Sequence, residues 1–365
     1  MKNAISIYTV FEVFSEPKQV KEFDSSHWQS FIRILRGADL LATFYYLLER
    51  NSLLESIPPF ALKHIESAKI YADRQAHQVR NESQALNLVL AKADIQPVFL
   101  KGAAYVLRED INHFGRVMSD IDILVKKSQL NAVEAVLQKN DWAESKLDDY
   151  DQQYYRKWAH ELPPYKHVYR GTSLDIHFTL LPPVSGIDID EESLFSNVQV
   201  TKDGSWALPP NLLVLHCIIH LFFNEDFSKS FRDVLDIHLL IEQLEASEGL
   251  DGIIKLSESM GFYKELYYAL SVRDLVFHTN SVQQYQLKSP KLSFITEFFV
   301  KKILYRAIMP SHDIVFNSWN NFARFIMYIR GHLLKMPITI LIPHMLVKVR
   351  RALVTSVMGA HHYEK

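Results

Sequence analysis

Ser119-Asp120-Ile121-Asp122-Ile123-Leu124-Val125 sets two carboxylates two residues apart at the start of an apolar run. Strand side chains alternate between faces at about 3.3 Å per residue, so Asp120 and Asp122 are expected on one face with Cα atoms about 7 Å apart. Their oxygens can then converge on one cation. Beside Ile121, Ile123 and Leu124 an unpaired carboxylate is costly, and this pair asks for such a partner. Hard oxygen donors suit Mg²⁺ or Mn²⁺. Alone the signal is weak, since Asp-X-Asp also arises in solvated turns.

The surroundings strengthen it. Upstream, Val98-Phe99-Leu100 is a short apolar run that ends at Lys101-Gly102 and leads into a helix-compatible 103–108: strand, glycine turn, helix. Downstream, residues 166–170 and 173–181 read as two strands joined at Gly171-Thr172. In the second, Asp175 faces away from Leu174 and Ile176 and shares a face with His177. Helical periodicity predicts one amphipathic helix over 25–50, with Ser25 or Ser26 as its cap, and others over 60–93 and 129–139. After Pro209-Pro210, segments 212–223, 231–244 and 250–260 also read as helix.

Leu100-Lys101-Gly102-Ala103-Ala104, the run Arg116-Val117-Met118-Ser119-Asp120-Ile121-Asp122, and Leu174-Asp175-Ile176-His177 together resemble the bacterial uncharacterised nucleotidyltransferase family of the DNA polymerase beta-like superfamily. The resemblance continues through His216, His220 and Phe231-Arg232-Asp233-Val234-Leu235-Asp236-Ile237, covering at least residues 97–245. It implies an α+β fold: a small mixed-sheet nucleotidyltransferase core (96–205) flanked by an N-terminal helical region (1–95) and a C-terminal helical region with a basic tail (206–365). It also implies that Asp120, Asp122 and Asp175 are catalytic and hold the Mg²⁺ or Mn²⁺. An NMP group would pass from an NTP, ATP favoured, to a hydroxyl on a small molecule, sugar or protein.

The superfamily often carries Gly-Ser or Gly-Gly at the turn, where this chain has Gly102-Ala103. Phosphate contact is therefore expected from backbone N–H groups at the helix start, from Lys101, or from Arg116 and Ser119 beside the acidic strand. Gly102 would let the backbone approach a phosphate.

His216 and His220, four apart on one helix face, read first as core or interface histidines and second as contacts to the cleft. Arg232, Asp233 and Asp236 read as a structural ion-pair network. His177 is expected either to orient Asp175 or simply to pack. Tyr154, Tyr155, Trp158 and His160 are expected on a lid or loop over the sheet.

Composition excludes several classes. A net charge of −2 argues against non-specific nucleic-acid binding by the whole molecule, and the single cysteine, Cys217, rules out an internal disulfide and a cysteine-rich zinc site. A reducing, cytoplasmic compartment is expected. No signal peptide is expected over 1–10, and the apolar run 336–347 is too short and too broken by Pro337 and Pro343 to span a bilayer.

From Lys288 onward 12 Lys or Arg face 3 Asp or Glu, and 314–363 holds no acid. This tail is expected to pack as helices on the acidic body with a basic outer face, the alternative being peripheral contact with the inner face of a membrane. Two other functions stay open: a nucleotide-binding module without turnover, from the missing serine, and a membrane-surface accessory protein of envelope polysaccharide assembly, from the tail.

Overall fold

The computed structural model describes residues 5–358. The first residues of the segment read for a signal peptide (1–4) and the end of the basic tail (359–365) lie outside them. One mixed sheet forms the centre: β1 (Val98–Phe99), β2 (Ile121–Leu124), β3 (Trp142–Glu144), β4 (Tyr165–His167), β5 (Ser173–His177), β6 (Gln199–Val200) and β7 (Trp206–Ala207), in the order β3-β4-β5-β2-β1-β7-β6. All four residues of β2 are buried, which explains why its sequence is continuously apolar apart from Asp122. β2 runs parallel to β5 and antiparallel to β1, and its register with β5 sets Asp122 opposite Asp175. β4 and β5 pair antiparallel across the Gly171 turn, as the sequence predicts.

Helices enclose this sheet. Ahead of it come α1 (Ile7–Ser15), α2 (Ser25–Gly37), α3 (Leu41–Arg50) and α4 (Pro59–Ala91). The single helix expected over 25–50 is two, because Asp39 adopts the left-handed conformation at φ 57° and turns the chain. The cap of α2 is Asp24, whose carboxylate accepts from the His27 N–H, and not Ser25 or Ser26.

Within and after the sheet lie α5 (Lys101–Arg108), α6 (Leu130–Gln138), α7 (Asp149–Trp158), α8 (Glu191–Phe195), α9 (Pro210–Phe223), α10 (Ser230–Ser247), α11 (Asp251–Ser259) and α12 (Tyr263–Phe277). The cover over the sheet is thus a helix, α7, begun by Asp148 accepting from the Asp151 N–H. One buried apolar cluster runs from Ile5 to Met327, through all three segments of the chain.

The tail comprises α13 (Ser281–Gln284), α14 (Ser293–Phe298), a π-helical turn (Phe299–Leu304), α15 (Tyr305–Ala307), α16 (Ser318–Lys335) and α17 (Ile338–Met358). It packs on the body, but the expected basic outer face is not what forms. Its cations turn inward: Arg330 to Glu265 at 3.2 Å, Lys335 to Glu225, Lys348 to Asp151 at 3.0 Å, and Arg351 to Asp148 at 2.6 Å. The physical reason is the acidic surface they meet, where Glu265 is almost wholly buried and needs a counter-charge. Among the described residues no helix is long and apolar enough to cross a membrane.

Candidate active site

The loop leading into β2 and the start of α5 enclose a cavity of about 190 Å³, lined among others by Lys101, Gly102, Ser119, Asp120, Asp122 and His220. Lys101 stands at φ 45°, a left-handed value uncommon for a residue with a side chain. From there its Nζ donates to Asp122 Oδ1 at 2.6 Å. His177 Nε2 lies 2.9 Å from the same oxygen. Burial works against the Asp122 charge, yet Lys101 and His177 together hold this carboxyl well below the usual range.

The other two aspartates move the opposite way. Burial, then the charge of Asp122, pushes Asp120 up, with the Ser119 hydroxyl donating to it in partial compensation. Asp175 is pushed up to about 7 by burial, then by Asp122, Glu161 and Asp120. Asp175 does not line the cavity itself; it adjoins it through its register with Asp122.

Glu161 is not predicted from sequence, and His160 is expected only on a lid or loop over the sheet. An isolated bridge pairs Glu161 with His177 and brings Glu161 Oε2 to 3.5 Å from His177 Nε2. His160 follows, its ring centroid 5.2 Å from that of His177. Among the described residues the donor atoms of His160, Glu161 and His177 converge within 4.8 Å of one another, a spread the three aspartates do not match. Burial, then His177, keeps His160 well below the usual imidazole range, so it is neutral, and its Nδ1 is buried without a hydrogen-bond partner. Tyr155 of α7 faces the same group: burial, then Glu161 and Asp175, pushes its phenol up to about 12.

A family model described as uncharacterised nucleotidyltransferase matches residues 24–278. The chain belongs to this family. No curated protein and no solved structure matches the chain. Membership makes it a nucleotidyltransferase by class, a transferase whose general reaction is nucleotidyl transfer. The match reaches well beyond residues 97–245 on both sides, taking in α2 to α4 and α11 to α12.

The structure shows a use for those flanking helices in a nucleotidyltransferase. Gln75 of α4 grips the loop before Asp120 from both sides: its Oε1 accepts from the Met118 N–H at 2.8 Å and its Nε2 donates to the Met118 carbonyl. Gly115 lies against α3 so closely that a Cβ would sit 2.4 Å from the Ala42 backbone, and the Thr43 hydroxyl donates to its carbonyl at 3.1 Å. The N-terminal helices therefore fix where Asp120 stands.

The remaining expected residues divide. Arg116 lines the cavity, but its Nε donates to Asp236 Oδ2 at 2.6 Å and its guanidinium lies 3.9 Å from Asp233, so its charge is already met inside the protein. The 232–236 network is thus built with Arg116 and forms a wall of the cavity. Gly102 is at the cavity, yet the space its missing Cβ leaves is taken by Met118, whose Cγ would be 2.6 Å away. Ala103 is buried in the core, and only its backbone at the uncapped start of α5 offers an N–H. His220 lines the cavity, so the cleft reading applies to it and not the core reading. Burial, then Lys101, keeps it neutral. His216, one turn earlier, is pushed down to about 3 by burial, then by Lys101, and its Nδ1 lacks a partner.

Proposed function

We propose that this protein moves an NMP group from an NTP, ATP first among them, to a hydroxyl on a small molecule, sugar or protein, with Mg²⁺ or Mn²⁺ held by Asp120, Asp122 and Asp175. The observation that carries this reading is a charge imbalance. The charges of Asp120, Asp122 and Glu161 all bear on Asp175, while Lys101 pairs with Asp122 and Arg116 is paired with Asp236. Two of these carboxyls are pushed up, by burial first and by neighbouring carboxylates second, a condition a bound divalent cation relieves.

Such a cation supplies charge stabilisation at the triphosphate and makes the acceptor hydroxyl more acidic. The chain supplies the rest. Asp122 is held as an anion by Lys101 and oriented by the His177 Nε2 contact. The N–H groups at the start of α5, at Gly102 and Ala103, meet no capping side chain and would be open to anionic phosphate oxygens. Asp175, set opposite Asp122 by the strand register, would share the cation and take the acceptor hydroxyl's proton. His216 and His220 stay neutral and add no charge against Lys101.

Incubation of the purified protein with each labelled NTP, Mg²⁺ or Mn²⁺ and a cell extract tests this. One labelled acceptor fraction is expected, with labelling down by about 10²-fold or more in a folded Asp122→Asn variant. Equal labelling by that variant would defeat the proposal. Lys101 on Asp122 Oδ1 also favours a second reading, nucleotide binding without turnover; ATP binding by the wild type with no label transferred would select it.

A further inference from the structure

The outward face of the tail is apolar. On α16, Trp319, Phe322, Phe325, Ile329 and Leu333 are exposed, Trp319 at 65%. Their spacing of three or four residues places them along one side of the helix, opposite the buried Ala323, Met327 and Gly331. On α17, Ile338, Ile342, Leu346, Val349 and Leu353 repeat the pattern, Leu346 at 64%. The two helices fold back on each other after Met336-Pro337, with the Tyr328 hydroxyl 3.9 Å from Met345 Sδ. Isolated exposed apolar residues are ordinary on protein surfaces, whereas ten large ones in two adjacent stripes mark a contact face.

Charge decides what the face meets. No acidic residue occurs from 314 to 363. Arg350 is exposed beside Val349 and has no ion pair among the described residues, and Lys348 keeps half its side chain exposed while holding Asp151. A second copy docked through the same patch would offer Arg350 no acidic partner from the facing 314–363 segment. An anionic lipid surface meets both requirements: the acyl boundary takes the aromatic and aliphatic side chains, and the headgroups take the cations.

We infer that the outer face of the α16–α17 hairpin is a membrane-docking surface for an anionic bilayer, seated through Trp319, Phe322, Phe325, Leu333, Leu346 and Leu353 with Arg350 at the headgroups. The docked protein lies on the membrane and does not cross it, consistent with the length of its helices. This docking is independent of the nucleotidyl-transfer reading, since none of these side chains lines the cavity.

Flotation of the full chain tests it, with vesicles of phosphatidylcholine alone and of phosphatidylcholine mixed with phosphatidylglycerol. The mixed vesicles should carry the protein, less so as salt rises, and the neutral ones should carry much less. A Phe322→Ser/Phe325→Ser/Leu346→Ser variant, altered only at exposed positions, should melt as the wild type does and bind about tenfold more weakly or worse. Arg350→Glu should weaken binding to mixed vesicles alone. Wild-type protein left unbound by mixed vesicles overturns the inference. So does a concentration-dependent dimer, seen by sedimentation, that the triple substitution abolishes while vesicle binding is absent.

Discussion

Asp122 and Asp175 face each other in register and yet are held in opposite states, one by a lysine and a histidine, the other by burial and then a surplus of neighbouring charge. The difference has a measurable sign. Asp175 titrates at about 7 in the fold against an ordinary value of 3.8, so the folded state keeps a proton that the unfolded chain releases between those values. The resulting penalty is absent near pH 4, grows as pH rises, and is complete above about 7. Asp175→Asn should therefore raise the melting temperature of the cation-free protein at pH 7.5 and leave it unchanged near pH 4; equal shifts at both would refute the assignment. Adding Mn²⁺ should narrow the gap by stabilising the wild type more.

Arg116 gives a second residue-scale prediction. Because it and Asp236 are both nearly buried, Arg116→Met should cost about 3–5 kcal/mol in chemical denaturation, far more than loss of an exposed phosphate contact would. The strand positions of Asp122 and Asp175 were legible in the sequence because alternation along a strand is local. Glu161 was not, and His160 was legible only as part of a lid or loop, since one bridge to His177 delivers both and nothing in residues 159–164 announces that pairing.

At the scale of elements, the strand, glycine turn and helix were readable, but the reason for the glycine was not. Gly102 makes room for Met118, a contact between the start of α5 and the loop before β2 that no local pattern contains. Gly102→Ala should cost about 1–3 kcal/mol, and Met118→Ala in the same chain should recover part of it. Additive losses in the double variant would remove this explanation. The break at Asp39 was hidden for another reason: apolar residues keep helical spacing through 25–50 even though the backbone turns. In the tail, α16 carries apolar residues on both faces, so periodicity predicts the helix without telling which face goes in. The buried acids of the body settle it, by drawing the cations inward.

Across the whole molecule, the two ends of the chain converge on the centre. The N-terminal helices hold the Asp120 loop through Gln75, and α17 holds the cover of the site, with Lys348 and Arg351 on Asp148 and Asp151 and His344 Nδ1 2.9 Å from the Tyr150 hydroxyl. These pairs are partly exposed, and such pairs contribute little to global stability. A Lys348→Ser/Arg351→Ser variant should accordingly unfold within about 1 kcal/mol of the wild type while amide hydrogens of α7 exchange faster. Unchanged exchange in α7 would mean the latch holds nothing.

Helix α17 thus works as a two-sided element, gripping α7 with one side and presenting Leu346 and Leu353 on the other. Linkage then imposes an equality: if occupancy of the outer side favours one placement of α7 by some factor, that placement must tighten occupancy by the same factor.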